Sequence, residues 1–322
     1  MTKIPYHANI NGIEVNAQYS ERAVHEIFLP LLAELTAMQQ EKGGRILVML
    51  AAPPGAGKTT LARFWEKLSR EHANLCEVQA IGMDGFHRRQ DDLQSHYFNH
   101  AESGRKISLV EIKGAPVTFD LEHLTESISQ VASGAVCGWP AYDRLLHNPV
   151  ENAITVDGQI VVLEGNYLLL DQDGWRGLSV FADYTIAIQA EENMLRDRLI
   201  DRRVKTGVES KRAVQFVDFS DMPNVRLCLR QTMPADLLLM INPDGDYSLL
   251  QHERGRAACV RVYPAFYESS RPSFRIRSRG KMDFKSRFLL LAFSDHRTFW
   301  ENARHFRLRS YRAKGCGDCA FF

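Results

Sequence analysis

No apolar run in this 322-residue sequence is longer than a handful of residues, far short of the ~20 that a membrane-spanning helix needs. The opening residues, Met1-TKIPYHANI, lack the charged start and apolar core of a secretory leader. Cysteine is sparse, with six residues at positions 76, 137, 228, 259, 316 and 319. They are scattered apart from Cys316-GD-Cys319, which argues against a secreted disulfide framework, and without a second pair that motif does not build a zinc site. There is no internal repeat and no long low-complexity segment. What remains is the composition of a globular protein, 45% hydrophobic and 25% charged, with length enough for a substantial core. A cytoplasmic protein that spans no membrane is expected.

Charge of one sign is missing from neither half, but it is unevenly spread. From Gln251 onward 13 Arg and 3 Lys face 6 acidic residues, a net of +10, which leaves −9 for positions 1–250. So sharp a shift marks a boundary near Leu250. The expected organisation is an N-terminal hairpin and helix over 1–44, a main domain over 45–250, and a basic extension over 251–322.

Alternation from Ile4 to Ala17 around Asn11-Gly12 predicts a hairpin. Ser20 is placed to cap a helix from Glu21 to about Gln40, kinked at Pro30 and ended by Gly43-Gly44. Apolar strands are expected at 45–50, 76–83, 160–165, 184–189 and 236–242. Helices are expected at 59–72, 121–132, 191–204 and 209–231. Strands alternating with helices indicate a parallel α/β sheet flanked by helices, with ligands at the carboxyl ends of the strands.

Between the first of those strands and its helix lies Ala52-PPGA-Gly57-Lys58-Thr59, the Walker A phosphate loop with alanine in the first glycine position. A helix start presents unpaired N–H groups and the positive end of its dipole to an anion. Gly55 and Gly57 let the backbone curl around phosphates, so Pro54, Gly55, Ala56, Gly57, Lys58, Thr59 and Thr60 form the expected nucleotide site. Lys58 reaches the β- and γ-phosphates and the Thr59 hydroxyl ligates Mg²⁺. ATP and Mg²⁺ are therefore the expected nucleotide and metal.

Two carboxylates sit at strand ends. Glu164, in Val161-VLEGN-Tyr167, is placed to complete the Mg²⁺ shell. Asp84, after Val78-QAIGM-Met83, is placed to accept a proton from a substrate hydroxyl, although Asp84-Gly85 also reads as an ordinary turn. Asp120 precedes a helix and reads as its cap. His87, His96 and His100 match no metal-ligand spacing and read as solvated or substrate-facing histidines. Asp221-MPN-Asn224 reads as a turn interrupting a helix. Arg198 and Arg202, four apart on one helix, share a face that would stabilise charge on a γ-phosphate, unless they are solvated and paired with Asp197 and Asp201.

Taken in order, Ala52-PPGAGKT-Thr60, Met83-DGF-His87, Lys113-GAPVTFD-Leu121, Trp139-PAYDRLLH-His147, Leu163-EGN-Tyr167 and the arginine-rich Arg196-DRLIDRRVKTG-Gly207 resemble the P-loop kinases that group uridine kinase, bacterial pantothenate kinase and phosphoribulokinase. The likeness runs from about Arg45 to Asn242. More narrowly, the first 250 residues resemble an uncharacterised bacterial subgroup of nucleoside-, pantothenate- or fructose-kinase-like proteins. The resemblance implies a P-loop sheet with an arginine-bearing lid. It implies that Asp84 activates the acceptor hydroxyl, that Tyr142 and His147 line the acceptor site with His87 near them, and that Arg198, Arg202 and Arg203 belong to the lid. Where uridine kinases carry an aspartate that holds ribose, this sequence has Gly114, as in the pantothenate kinase version.

The expected activity is ATP-dependent phosphoryl transfer to a hydroxyl of a nucleoside-, sugar- or pantothenate-like small molecule. The alternative is a P-loop ATPase or nucleotide-dependent regulator with no such acceptor. Nucleic acid is expected to bind at most non-specifically, through the basic tail, and a homodimer is among the assemblies left open. The motif set is complete by Asn242, and the extension, with arginine repulsion and scattered glycines, has little means of building a core, although 284–306 could dock as an amphipathic helix. Truncation after Leu250 is therefore expected to leave melting and ATP turnover unchanged; an aggregated or inactive truncated protein would show that the tail belongs to the fold.

Overall fold

The computed structural model describes residues 2–10, 13–99 and 104–250. The Asn11-Gly12 turn, His100, the 251–322 extension with its cysteine pair, and the 284–306 segment lie outside the described residues. Among the described residues no helix is long and apolar enough to cross a membrane.

A six-stranded sheet forms the centre. Its strands are β3 (Ile46–Ala51), β4 (Val78–Gly82), β9 (Ile160–Gly165), β10 (Tyr184–Ala190), β11 (Leu237–Ile241) and β12 (Tyr247–Leu249), in the spatial order β12-β11-β10-β3-β9-β4. All neighbours run parallel except the edge strand β12, which pairs antiparallel with β11. β3 and β9 are buried along their whole length, as expected of strands covered on both faces. Successive side chains alternate between two cores. Ile46, Val48 and Leu50 pack with Leu35, Leu61 and Trp65 on one side. Leu47 and Met49 pack with Leu124, Ile128 and Trp139 on the other.

The flanking helices are α1 (Glu21–Ala23), α2 (Leu29–Lys42), α3 (Lys58–Glu71), α4 (Gln90–Ser95), α5 (Leu121–Ala132), α6 (Glu192–Lys205), α7 (Ser210–Phe216) and α8 (Met222–Gln231). Ser20 Oγ accepts from the Ala23 N–H and Asp120 accepts from the His123 N–H, each capping its helix. The kink expected at Pro30 is a widened turn. Residues Val24–Phe28 form a π-helical turn that joins α1 to α2 just before that proline. Val217–Asp221 does the same between α7 and α8, before Pro223, so the expected interruption at 221–224 is a bulge in a continuous helix. A proline lacks an N–H and crowds the carbonyl four residues back, and opening the turn by one residue relieves both faults.

Three small ladders stand outside the sheet. β1 (Lys3–Ile10) and β2 (Ile13–Ser20) make the N-terminal hairpin, and β5 (Tyr97–Asn99) pairs with β6 (Lys106–Ser108). β7 (Cys137–Asp143) pairs with β8 (Asn148–Val156), with a bulge between Trp139 and Ala141. The sequence pattern did not announce β7 or β8, because Gly138 and Pro140 interrupt the first and Pro149 stands near the start of the second.

Arg45 is 6% exposed at the start of β3. Its guanidinium donates to the carbonyls of Gly158 (2.7 Å), Ala135 (2.5 Å), Val131 (3.2 Å) and Val156 (3.3 Å). It thus ties the end of α5 and the β8–β9 turn to the central strand. Arg45→Met keeps the stem but leaves buried carbonyls unpaired, and is expected to cost about 3 kcal/mol in urea unfolding. A loss below about 1 kcal/mol would show that water replaces the guanidinium there.

Candidate functional site

The loop between β3 and α3 turns through Gly55 (φ 84°) and Gly57 (φ 79°), a backbone path that disfavours any side chain. A Cβ at position 55 would also lie 3.1 Å from Leu199 Cγ and 3.3 Å from the Leu195 carbonyl, so α6 rests directly on the loop. From the other side the Tyr247 hydroxyl donates to the Ala56 carbonyl at 3.2 Å. Lys58 is the first residue of α3, with Thr59 and Thr60 following in its opening turn.

Thr59 Oγ1 donates to Glu164 Oε1 at 2.9 Å. The Glu164 carboxyl is buried at the end of β9, and that burial pushes its pKa up to about 7 against the pull of Lys58, while Asp84 pushes it further up. Gly82 makes room for it, since a Cβ there would come within 2.8 Å of Glu164 Oε1. A hydroxyl and a carboxylate on neighbouring elements beside a phosphate loop are hard oxygen ligands of the kind Mg²⁺ prefers. The donor set therefore fits that cation. Among the described residues no group of three or more His, Cys, Asp or Glu side chains is arranged to hold a metal ion.

Asp84 lies in the short 3-10 turn Met83–Phe86 that ends β4. The turn is clamped by β7: Trp139 Nε1 donates to the Gly82 carbonyl at 2.8 Å, and a Cβ on Gly85 would meet the Pro140 carbonyl oxygen at 2.1 Å. The Asp84-Gly85 pair is thus set by close backbone approach. Asp84, Thr59, Glu164 and Tyr142 line one cavity, together with Arg63 of α3.

Behind Tyr142 lie His87, Phe119 and Lys113. The His87 ring stacks on Phe119 at 4.0 Å and meets Tyr142 edge-on at 5.4 Å. Burial holds its pKa down to about 4, against the pull of Asp84, and its Nδ1 is buried without a hydrogen-bond partner. Lys113 Nζ donates to Gln90 Oε1 (2.9 Å) and to the His147 carbonyl (3.1 Å), and lies 4.7 Å from the centre of the Tyr142 ring. Desolvation lowers its pKa. Lys113 therefore fixes Tyr142 and the β7–β8 turn, a role the sequence did not reveal although it heads a quoted motif. His147 is exposed on that turn with φ 53°, held through its carbonyl.

Gly114 follows with φ 106°. The Tyr167 hydroxyl donates to its carbonyl at 2.6 Å, and a Cβ would stand 3.8 Å from Asn224 Nδ2. The backbone itself therefore asks for glycine there, a requirement separate from any loss of a ribose-holding carboxylate.

The arginines of α6 divide. Arg203 donates to Asp221 Oδ2 through Nε (3.1 Å) and Nη2 (2.9 Å) and lies 3.6 Å over the Phe216 ring, so it anchors the helix. Arg196 pairs with Asp218 at 2.6 and 2.8 Å. Of the three arginines expected in the lid, Arg203 thus takes Asp221, on the following helix, rather than Asp197 or Asp201. Arg198 points toward Gly245, its Nη2 3.3 Å from where a Cβ would be. Arg202 is exposed on α6, close enough to Asp221, Asp84, Arg144 and Arg203 to feel their charges. Arg63 went unnoticed in the sequence, although it lies one helical turn beyond Thr59 on the same face.

Residues 47–247 match the Phosphoribulokinase / Uridine kinase family. The chain is 39% identical over 239 residues to YggC, an uncharacterised protein of Escherichia coli (strain K12), covering 74% of this chain and 96% of that one. It is 28% identical over 228 residues to a pantothenate kinase of Shewanella woodyi, covering 62% and 66%. Among solved structures, a candidate fructose transport system kinase from Silicibacter sp. TM1040 matches with a TM-score of 0.56 at 29% identity, over 65% of this chain and 98% of that one.

The neutral His87 ring makes stability depend on acid. The unfolded chain takes up a proton at this residue near pH 6.5, the folded chain only near pH 4. Stability is therefore full above about pH 6.5 and is lost as pH falls toward 4, by an amount on the order of 3 kcal/mol. His87→Gln is expected to flatten that part of the urea-unfolding profile; an unchanged slope between pH 6.5 and 4 would assign it to other groups.

Proposed function

Because the chain belongs to the Phosphoribulokinase / Uridine kinase family, we propose that it transfers the γ-phosphoryl group of ATP to a hydroxyl of a small molecule, with Asp84 as the proton acceptor. The observation that carries this reading is the shared cavity. Thr59 and Glu164, which fit a Mg²⁺ ion, open onto the same space as Asp84 and Tyr142. A nucleotide-hydrolysing switch needs the first pair but has no use for the second.

Thr59 and Glu164 would hold the cation, which when bound offsets the negative charge of the phosphates. The phosphate-loop amides and Lys58 bind the phosphate chain. Tyr142 and His87 wall the acceptor, and Lys113 holds Tyr142 in place. Asp84 accepts the proton of the acceptor hydroxyl as that oxygen bonds to the γ-phosphorus. The bond from that phosphorus to the β,γ-bridging oxygen breaks and ADP leaves. Arg202 and Arg198 supply positive charge on the α6 side, where negative charge spreads over the transferring group.

Gly114 offers no carboxylate to hold a ribose diol, and a site built to bond a hydroxyl discriminates by roughly 10⁴-fold or more. Uridine and cytidine are therefore expected to be poorer acceptors than sugars or pantothenate-like alcohols. Coupled ADP release with Mg·ATP over such a panel, against hydrolysis without acceptor, identifies the substrate class. On the best acceptor Asp84→Asn should lower kcat by about 10²–10⁴-fold while sparing ATP affinity. Turnover within a few-fold of wild type would remove Asp84 from the chemistry.

A further inference from the structure

The cavity that holds Asp84 has one wall from outside the matched family segment of 47–247. Ile10, the last residue of β1, lines it together with Ile154 of β8, Thr59, Arg63 and Glu164. The cavity is small, about 40 Å³. A single water needs roughly 10–15 Å³ on that measure, so the room directly beside these side chains is tight. A side chain on its wall therefore decides what fits beside Asp84.

The hairpin is built to hold that side chain in place. Along β1 the exposed and inward positions alternate, with Ile4, Tyr6, Ala8 and Ile10 on the inward side. Pairing with β2 is unbroken from Lys3↔Ser20 to Ile10↔Ile13. Tyr6 packs edge-on against Phe64 at 5.2 Å, and Tyr19 stacks on the same ring at 4.2 Å. Phe64 is the neighbour of Arg63 on α3, the helix that starts at Lys58. At about 3.3 Å per residue the strand runs some 13 Å from Tyr6 to Ile10. The aromatic anchor thus rests on the nucleotide-binding helix while the far end of the strand reaches the cavity. The Ser20 N–H adds a bond to Asp246 Oδ1 at 3.1 Å, fixing the base of the hairpin to the turn before β12.

We propose that the N-terminal hairpin is a working part of the active site, in which Ile10 forms the apolar wall beside Asp84 and limits the size of the acceptor's carbon flank next to the reacting hydroxyl. This inference rests on the phosphotransfer reading above. The preferred acceptor is then an alcohol whose hydroxyl-bearing carbon has a short apolar side. The sec-butyl side chain of Ile10 also keeps water from the Asp84 carboxylate, which favours transfer to the acceptor over hydrolysis.

The test uses the full chain and Mg·ATP, with ADP release measured over a graded series of alcohols from glycerol through pentoses and hexoses to pantothenate. Ile10→Ala is expected to raise KM of the best wild-type acceptor about tenfold, the scale of a lost apolar contact in a pocket. The change in kcat should be under threefold, and bulkier alcohols should gain. Ile10→Met, of similar volume, should restore the wild-type order. A folded Ile10→Ala protein with the wild-type ranking and KM within twofold overturns the proposal. Where Ile10→Ala melts early, Ile10→Phe serves instead, and it must lose the larger acceptors first; an unaltered ranking again overturns the idea. A wild-type chain that releases no ADP with any alcohol sinks the phosphotransfer reading itself. The place of Ile10 is then judged by Ile10→Trp, whose emission relative to wild type should shift when Mg²⁺ and a non-hydrolysable ATP analogue are added, because Thr59 and Glu164 share its cavity. Unchanged emission would put Ile10 outside the site.

Discussion

The hydrogen bond from Thr59 to the buried Glu164 carboxylate is the contact on which the site depends. It joins the first turn of α3 to the end of β9, and so fixes the phosphate loop against the sheet. Three backbone facts make it possible. β3 and β9 pair in register through Ala51↔Gly165, which sets the loop and the carboxylate at the same level. The Ala52 N–H donates to the Gly165 carbonyl at 3.2 Å, carrying that pairing one step into the loop. Gly82 of β4 leaves space for the carboxyl group, and one step beyond it the chain turns to present Asp84. The two carboxylates are close because two neighbouring strands, β9 and β4, end at the same level.

A second constraint couples the loop to the periphery. Tyr247 donates to the Ala56 carbonyl, and its ring lies 5.6 Å from Phe28 and 6.1 Å from Tyr19. Phe28 in turn meets Phe64 and Trp65 of α3. The hairpin, the widened turn before α2, the nucleotide helix and the edge strand β12 thus share one aromatic cluster under the phosphate loop. Edge-on and offset ring pairs of this kind have preferred geometries, so displacing one element disturbs the packing of the rest. The loop is held from below by packing and from above by α6 through Leu195 and Leu199.

Much of this was legible in the sequence, and the reason differs from element to element. β3, the phosphate loop and α3 were readable because a buried parallel strand needs an unbroken apolar run, a phosphate loop needs glycine, and a helix on a sheet needs its apolar stripe. Glu164 and Asp84 were readable as acids at the ends of such strands. The hairpin β7–β8 was not, since its alternation is broken by Gly138, Pro140 and a bulge, and its pairing is visible only in three dimensions. Nor could spacing tell Arg202 from Arg203, because Asp221, which fixes the latter, lies 18 residues away. The place of Ile10 is likewise a matter of tertiary reach: its alternation was plain, but not the object its face would meet.

The arginines of α6 show how one helix is fastened to the next. Arg196 and Arg203 are seven residues apart, two helical turns, and each binds an aspartate of the 217–221 turn. Their shared stripe fastens α6 to the helix that follows. Arg198 and Arg202 occupy another stripe, with Arg198 turned toward Gly245. The widened turn before Pro223 matters here, because it carries both Asp218 and Asp221 and so sets the face that α6 can dock on. The wide turn before the proline keeps the helix continuous, and so keeps Asp221 where Arg203 of α6 meets it.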